Sequence, residues 1–309
     1  MFTTRDLTPL PTIAQLSSYV QSIFPFRNED TPFIYHTPRL NRLNCRNRPA
    51  PHVILSITPT PGFYTALSTS AAPTPLAFLH RPWALDRRRL PRHATVLSCH
   101  KGFDEVLTVG NNAALASTLG MDLGHSTTIQ GYKGDPDRTI GIIGPVSMSS
   151  RKDMLELIKG EFTSIEASFG FEDNSNGKPR DNVHQDVSVL AIMNSFHVDD
   201  VKRVATLAFD LGLLPSAERC EGILYLTGDV RDQGMHAAVQ RQMPVVCVGH
   251  RACEEWGIRY LANFLGETWP SIHVDAILED ENAGIEDQAG LLEPLHQLNP
   301  HYEEIKSGS

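Results

Sequence analysis

Residues 245–269 read VVCVGHRACEEWGIRYLANFLGETW: an apolar run closes on Gly249 and His250, and a helical pattern starts at once. The run has the composition of a strand buried in a sheet, and the segment after it repeats its apolar residues at helical spacing. The same alternation extends along the chain. Strands are expected in VILSITPT (53–60), LAFLH (76–80), TVLSCH (95–100), IGIIGPV (140–146), VSVLAIMNS (187–195), LYLTG (224–228) and IHVDAIL (272–278). A further helix is expected within HVDDVKRVATLAFDLGLL (197–214). Strands alternating with helices predict an α/β fold of βαβ units, with a mainly parallel sheet in each half.

The chain of 309 residues, 41% of them hydrophobic, is long enough for one large or two ordinary domains, each with its own core. A Gly- and Asp-rich stretch, GYKGDPDR (131–138), interrupts the pattern and divides a first lobe, 1–130, from a second, 131–278. FEDNSNGKPRDN (171–182) reads as an exposed loop between strands, and 279–309 as an acidic, poorly packed tail. The 27 Lys and Arg against 36 Asp and Glu give a net charge of -9, which repels phosphate backbones and anionic leaflets and argues against nucleic acid or membrane as partner. The cysteines, Cys45, Cys99, Cys220, Cys247 and Cys253, form no C-x-x-C and suggest neither a disulfide scaffold nor a zinc knuckle. MFTTRDLTPLPTIAQL at the start lacks the apolar block of a secretory peptide, so a cytoplasmic location is expected, with the nucleus also open.

Three apolar runs end in histidine, at His80, His100 and His250. In parallel strands these ends open on one edge, where ligands bind in open α/β sheets. Each histidine taken singly is equally well a hydrogen-bonded residue at a strand end. Glu254 carries a stronger signal. It continues the stripe of Ile258, Leu261 and Leu265 that should face the core, and a carboxylate there needs a partner. Glu255, four residues before Arg259, is explained as a surface ion pair. His250 precedes Glu254 by one helical turn, so imidazole and carboxylate can converge on one zinc, iron or manganese ion; the bland alternative is a neutral histidine and a helix-capping glutamate. Asp104 follows the strand ending at His100 closely enough to turn over the same edge as His80, although an Asp there is also an ordinary first-turn residue.

The order of LHRPW, SCHKGFDEVLTVGNN, LYLTGDVRD and VGHRACEEWGIRYLANFL resembles the Nif-three-like family, the dinuclear-metal-centre or GTP cyclohydrolase I type II-like proteins. The likeness runs from about residue 12 to 270. It implies a two-lobed fold, a metal site in the cleft between lobes and a homo-oligomeric ring, hexameric among the possible sizes. Under the resemblance His80, Asp104, His250 and Glu254 are metal ligands, and His100 lies beside the site, orienting Asp104 or a water. Two departures matter. Arg81 stands where the family's second histidine belongs, and a guanidinium has no lone pair for a metal. In GDVRDQG, Asp232 and Gln233 stand where the family shows histidines. One ion per chain or none is therefore expected in place of two. The functions left open are a metal-dependent hydrolase acting on a nucleotide or other phosphorylated small molecule recruited by Arg81, a non-catalytic, metal-stabilised regulatory or interaction protein with a protein partner, and a diverged member that has lost metal, in which Arg81 fills the site as an ion pair.

Overall fold

The computed structural model describes residues 9–38, 45–171 and 186–280. The FEDNSNGKPRDN loop beyond Phe171 and the acidic tail beyond Asp280 lie outside the described residues. In chain order come α1 (Ile13–Ile23), β1 (Ile34–His36), β2 (His52–Ser56), α2 (Pro61–Thr69), β3 (Leu76–Leu79), β4 (Thr95–Ser98), α3 (Lys101–Val106) and α4 (Ala113–Thr118). They are followed by β5 (Thr127–Tyr132), β6 (Asp135–Ser150), α5 (Arg151–Glu161), β7 (Ala167–Phe169), β8 (Asp186–Met193) and α6 (Val198–Asp210). The chain continues with β9 (Ile223–Thr227), α7 (Asp232–Gln240), β10 (Val245–Cys247), α8 (His250–Thr268) and β11 (His273–Ile277). Local chemistry sets the helix starts: Thr12 and Gln15 form a capping box for α1, and Thr60 caps α2 with Pro61 in its first turn.

The strands form a five-stranded sheet in the order β1-β4-β3-β2-β11 and a six-stranded sheet in the order β5-β6-β8-β9-β10-β7. In the first, β4, β3, β2 and β11 run parallel and β1 joins β4 antiparallel. Every residue of β3 and β4 is buried, as strands covered on both faces must be. Successive side chains go to opposite cores: Leu76, Phe78 and Leu97 pack with Leu16, Phe103 and Leu261, while Ala77, Leu79 and Val96 pack with Phe63 and Leu67 of α2.

The second sheet is mixed. Its centre, β8-β9-β10, is parallel, but β5 with β6, β6 with β8 and β10 with β7 are antiparallel. GYKGDPDR is the tip of the β5–β6 hairpin inside this sheet, with Lys133 at φ 49 and Gly134 at φ 82, the positive pair that a tight hairpin turn needs. The chain therefore changes sheet before β5, and the lobes are not consecutive in sequence, because β11 returns to pair with β2 of the first sheet. Helix α8 spans both cores. Ala252, Cys253 and Trp256 pack against the second sheet's Leu224, Leu226 and Val246, while Ile258, Leu261 and Leu265 pack against the first. Each of those last three, fully buried, contributes about 1.5–3 kcal/mol relative to exposure. All five cysteines are buried. Among the described residues no helix is long and apolar enough to cross a membrane.

Candidate metal centre

The site forms where α8 leaves the second sheet and meets the strand ends of the first. Gly249, at φ 91, turns β10 directly into α8 and makes His250 the first helical residue; a Cβ at this position would stand 2.4 Å from Glu166 Oε1. On the other side, α3 starts immediately after β4, its first backbone N–H groups (His100, Lys101, Gly102) donating to the Asp30 carboxylate at 3.1 Å each. The two helices touch through Gly257, where a Cβ would lie 2.4 Å from the Leu107 carbonyl oxygen and 2.6 Å from Phe103 Cζ. That close approach brings Asp104 of α3 and Glu254 of α8 to the same histidine.

That histidine is His80, fully buried just past β3. Its Nδ1 is 3.2 Å from the Cys99 carbonyl oxygen, which can only accept, so Nδ1 carries a proton and Nε2 faces the carboxylates. Nε2 is 3.0 Å from Glu254 Oε1 and 3.3 Å from Asp104 Oδ1. Burial pulls the imidazole down, but the two carboxylates outweigh it and raise its pKa to about 9. Glu254 is 1% exposed. Burial pushes its carboxyl up, yet His250 and His80 hold it well below the usual carboxylate range. His250 Nε2 is 3.3 Å from the same Oε1, and this contact, against the effect of burial, raises the His250 pKa. Arg81 Nη2 takes the other oxygen, Oε2, at 3.0 Å.

His100 sits closer to the centre than the sequence implied. Its ring is 4.8 Å from that of His80, and its Nε2 is 3.8 Å from Asp104 Oδ2, too far for a hydrogen bond. Donor atoms of His80, His100 and Asp104 all lie within 4.8 Å of one another, so these three form a group that could hold an ion. Burial lowers its pKa, with Asp104 opposing and the neighbouring His80 charge adding to the drop. Trp83, which the sequence did not single out, stands edge-on to His100 at 4.8 Å. Asp232 and Gln233 are exposed at the start of α7.

Donors that share one ion, each about 2.0 to 2.3 Å from it, can be no more than about 4.6 Å apart. The 3.0 and 3.3 Å separations from Glu254 Oε1 to His80 and His250 satisfy this pair by pair, while the group whose donors all lie within 4.8 Å of one another is His80, His100 and Asp104. His80 Nε2 and Glu254 Oε1 are both buried and near each other, but neither makes a well-directed hydrogen bond. Two buried donors aimed into one space without satisfying each other is what a cation site leaves when only its ligands are considered. The nitrogen and oxygen donors fit a divalent transition ion. A second His/Asp group, His52, His273 and Asp275, lies at the opposite edge of the first sheet; both histidines open strands, a position that hydrophobic patterning does not weigh.

The family model Duf34/NIF3 (NGG1p interacting factor 3) matches residues 89–283. Among solved structures, reduced HcgD from Methanocaldococcus jannaschii is similar at TM-score 0.56 and 15% identity, over 86% of this chain and 97% of that one. A hypothetical protein of Staphylococcus aureus matches at TM-score 0.58 and 14% identity, over 88% of this chain and 99% of that one. A Bacillus cereus protein related to NIF3 matches at TM-score 0.55 and 13% identity, over 89% and 98%. At these identities the likeness is one of fold. No curated protein matches by sequence.

Proposed function

The chain belongs to the Duf34/NIF3 family, and from that premise we propose a metal-binding protein in which His80, Asp104, His250 and Glu254 hold one divalent transition ion, zinc, iron or manganese. The observation that carries the proposal is the buried pair His80 Nε2 and Glu254 Oε1, 3.0 Å apart and not hydrogen-bonded. When bound, such an ion supplies Lewis acidity and lowers the pKa of a coordinated water, the chemistry of a hydrolase. The residues around it favour a phosphate-bearing small molecule, such as a nucleotide. Arg81, fixed on Glu254 Oε2, sets a permanent positive charge beside the donors that attracts a phosphate. His100, kept neutral by burial, is a base within reach of the same space. Trp83, more than half exposed beside His100, offers an apolar wall for a planar group. The proposal includes a homo-oligomeric ring and a cytoplasmic location.

A single ion follows from Arg81, which adds a cation and no lone pair where a second ion would need donors. The same contact favours a second reading. The guanidinium, 3.0 Å from Glu254 Oε2, neutralises the carboxylate in part and would stabilise a diverged, metal-free member of the family in which Arg81 fills the site. Elemental analysis decides between them, on protein purified without chelator and on Arg81→His. Relative to His80→Ala/Glu254→Gln, the unmodified chain is expected to hold one more equivalent and Arg81→His to approach two more, with phosphate-ester hydrolysis changing alongside. No metal in either protein beyond what the double variant holds supports the second reading. Two equivalents more than the His80→Ala/Glu254→Gln protein in the unmodified chain would show that other residues complete a second position at this centre.

A further inference from the structure

We propose a second metal site, for a zinc-class divalent cation, on His52, His273 and Asp275 at the start of strands β2 and β11. His52 and His273 are register partners in neighbouring parallel strands, so their side chains rise side by side with ring centroids 4.9 Å apart. Asp275, two residues after His273 in β11, presents its carboxylate on the same face. One oxygen lies 2.8 Å from His52 Nε2 and the other 2.9 Å from His273 Nε2. All three residues thus offer a donor atom within 4.8 Å of the other two.

What separates this group from a chance surface contact is the support behind His52. Its Nδ1 is 2.8 Å from Ser70 Oγ, the residue that ends α2, and the same oxygen accepts the Ala72 backbone N–H at 3.2 Å. A hydroxyl can donate or accept, so Ser70 holds the ring whether Nδ1 or Nε2 carries the proton. With the proton on Nδ1, Nε2 is a lone-pair donor anchored through its far nitrogen, the arrangement that fixes metal-ligating histidines. His273 is largely exposed and Asp275 partly so, in a surface hollow beside the end of α2, which leaves water free to complete a tetrahedral His/His/Asp set. The site lies at the opposite edge of the sheet from His80 and shares no residue with it.

The position gives the site a role. β11 is the strand that returns from the second sheet's side of the chain, and an ion bridging His52 to His273 would tie it to β2 at the point where pairing begins. Because an ion that binds the folded state alone stabilises it, zinc should tighten this strand specifically.

The test is zinc binding by calorimetry on the chelator-stripped full chain. In His80→Ala/Glu254→Gln, which removes the other centre, one zinc equivalent is expected to remain, and adding His273→Asn should weaken it at least tenfold. In the otherwise unmodified chain, His273→Asn and Asp275→Asn should each lower zinc stoichiometry by one. This comparison stands even where the double variant does not fold. Zinc should also slow amide exchange across residues 273–277, and His273→Asn should abolish that slowing. Unchanged stoichiometry and exchange in both single variants would overturn the proposal, whatever the result at His80.

Discussion

Replacing Glu254 by Gln keeps the side chain's volume and removes its charge, so the consequence is electrostatic. The carboxylate faces His80 Nε2 at 3.0 Å, His250 Nε2 at 3.3 Å and Arg81 Nη2 at 3.0 Å, and it is buried. Removing one partner from a buried ion pair costs about 3–5 kcal/mol. Two features place the metal-free protein at the lower end. Arg81 is partly exposed and can hydrate, and His80 can release its proton. That release makes the effect pH-dependent. The folded-state pKa of His80, about 9, lies above the ordinary 6.5, so its stabilisation is fully present below pH 6.5 and is lost as pH rises through 9. The Glu254 pKa is depressed, so its contribution is lost only as pH falls into the acid range and is constant over that same window. Without Glu254, burial pulls His80 down and Asp104 alone opposes it. Urea unfolding of chelator-stripped protein should therefore give a loss of about 3 kcal/mol at pH 6, shrinking toward pH 9.5. A loss below about 1 kcal/mol at pH 6, or one that does not change with pH, would refute the placing of Glu254 as the hub of this cluster.

Three further outcomes are expected. Metal binding at the His80 centre must displace the Nε2 protons of His80 and of His250, whose pKa values are both raised, so the apparent zinc affinity of His273→Asn should rise at least tenfold per pH unit between 6 and 8; calorimetry in buffers of different ionisation heat should count at least one proton released, and a flat profile would count against these histidines as ligands. Gly257→Ala gains about 1 kcal/mol of helix propensity but forces a Cβ to 2.4 Å from the Leu107 carbonyl oxygen, an overpacking cost of about 1–3 kcal/mol; net destabilisation and weaker metal binding are expected in thermal melts and titrations, and a stabilised variant would show that α8 can back away from α3 without harm. Sedimentation velocity at micromolar concentration should give a homo-oligomer, and a clean monomer would contradict the proposed ring.

The strands that sequence patterning found and those it missed differ in one physical respect. Every apolar run predicted as a strand is one, and most are packed on both faces, where burial forces a continuous apolar run. β1, β5 and β7 were not foreseen. All three are antiparallel edge strands, partly exposed, whose sequence need not be apolar. The GYKGDPDR turn was visible as an interruption, but whether an interruption separates domains or closes a hairpin depends on pairing between residues on either side of it.

The candidate site divides the same way. The inward position of Glu254 was fixed by helical periodicity, since positions 254, 258, 261 and 265 share one face whatever they pack against. That His250, four residues earlier, lies within reach of it also follows from the helix alone. Which sheet each histidine belongs to did not follow. His80 and His100 come from the first sheet and His250 from the second, and they meet because Gly257 lets α8 press against α3 and because α8 divides its apolar face between two cores. The partner of Arg81 was likewise decided in three dimensions: its charge can be read from one position, but its pairing with Glu254 spans 173 residues of chain and exists only once β3 and α8 are packed together.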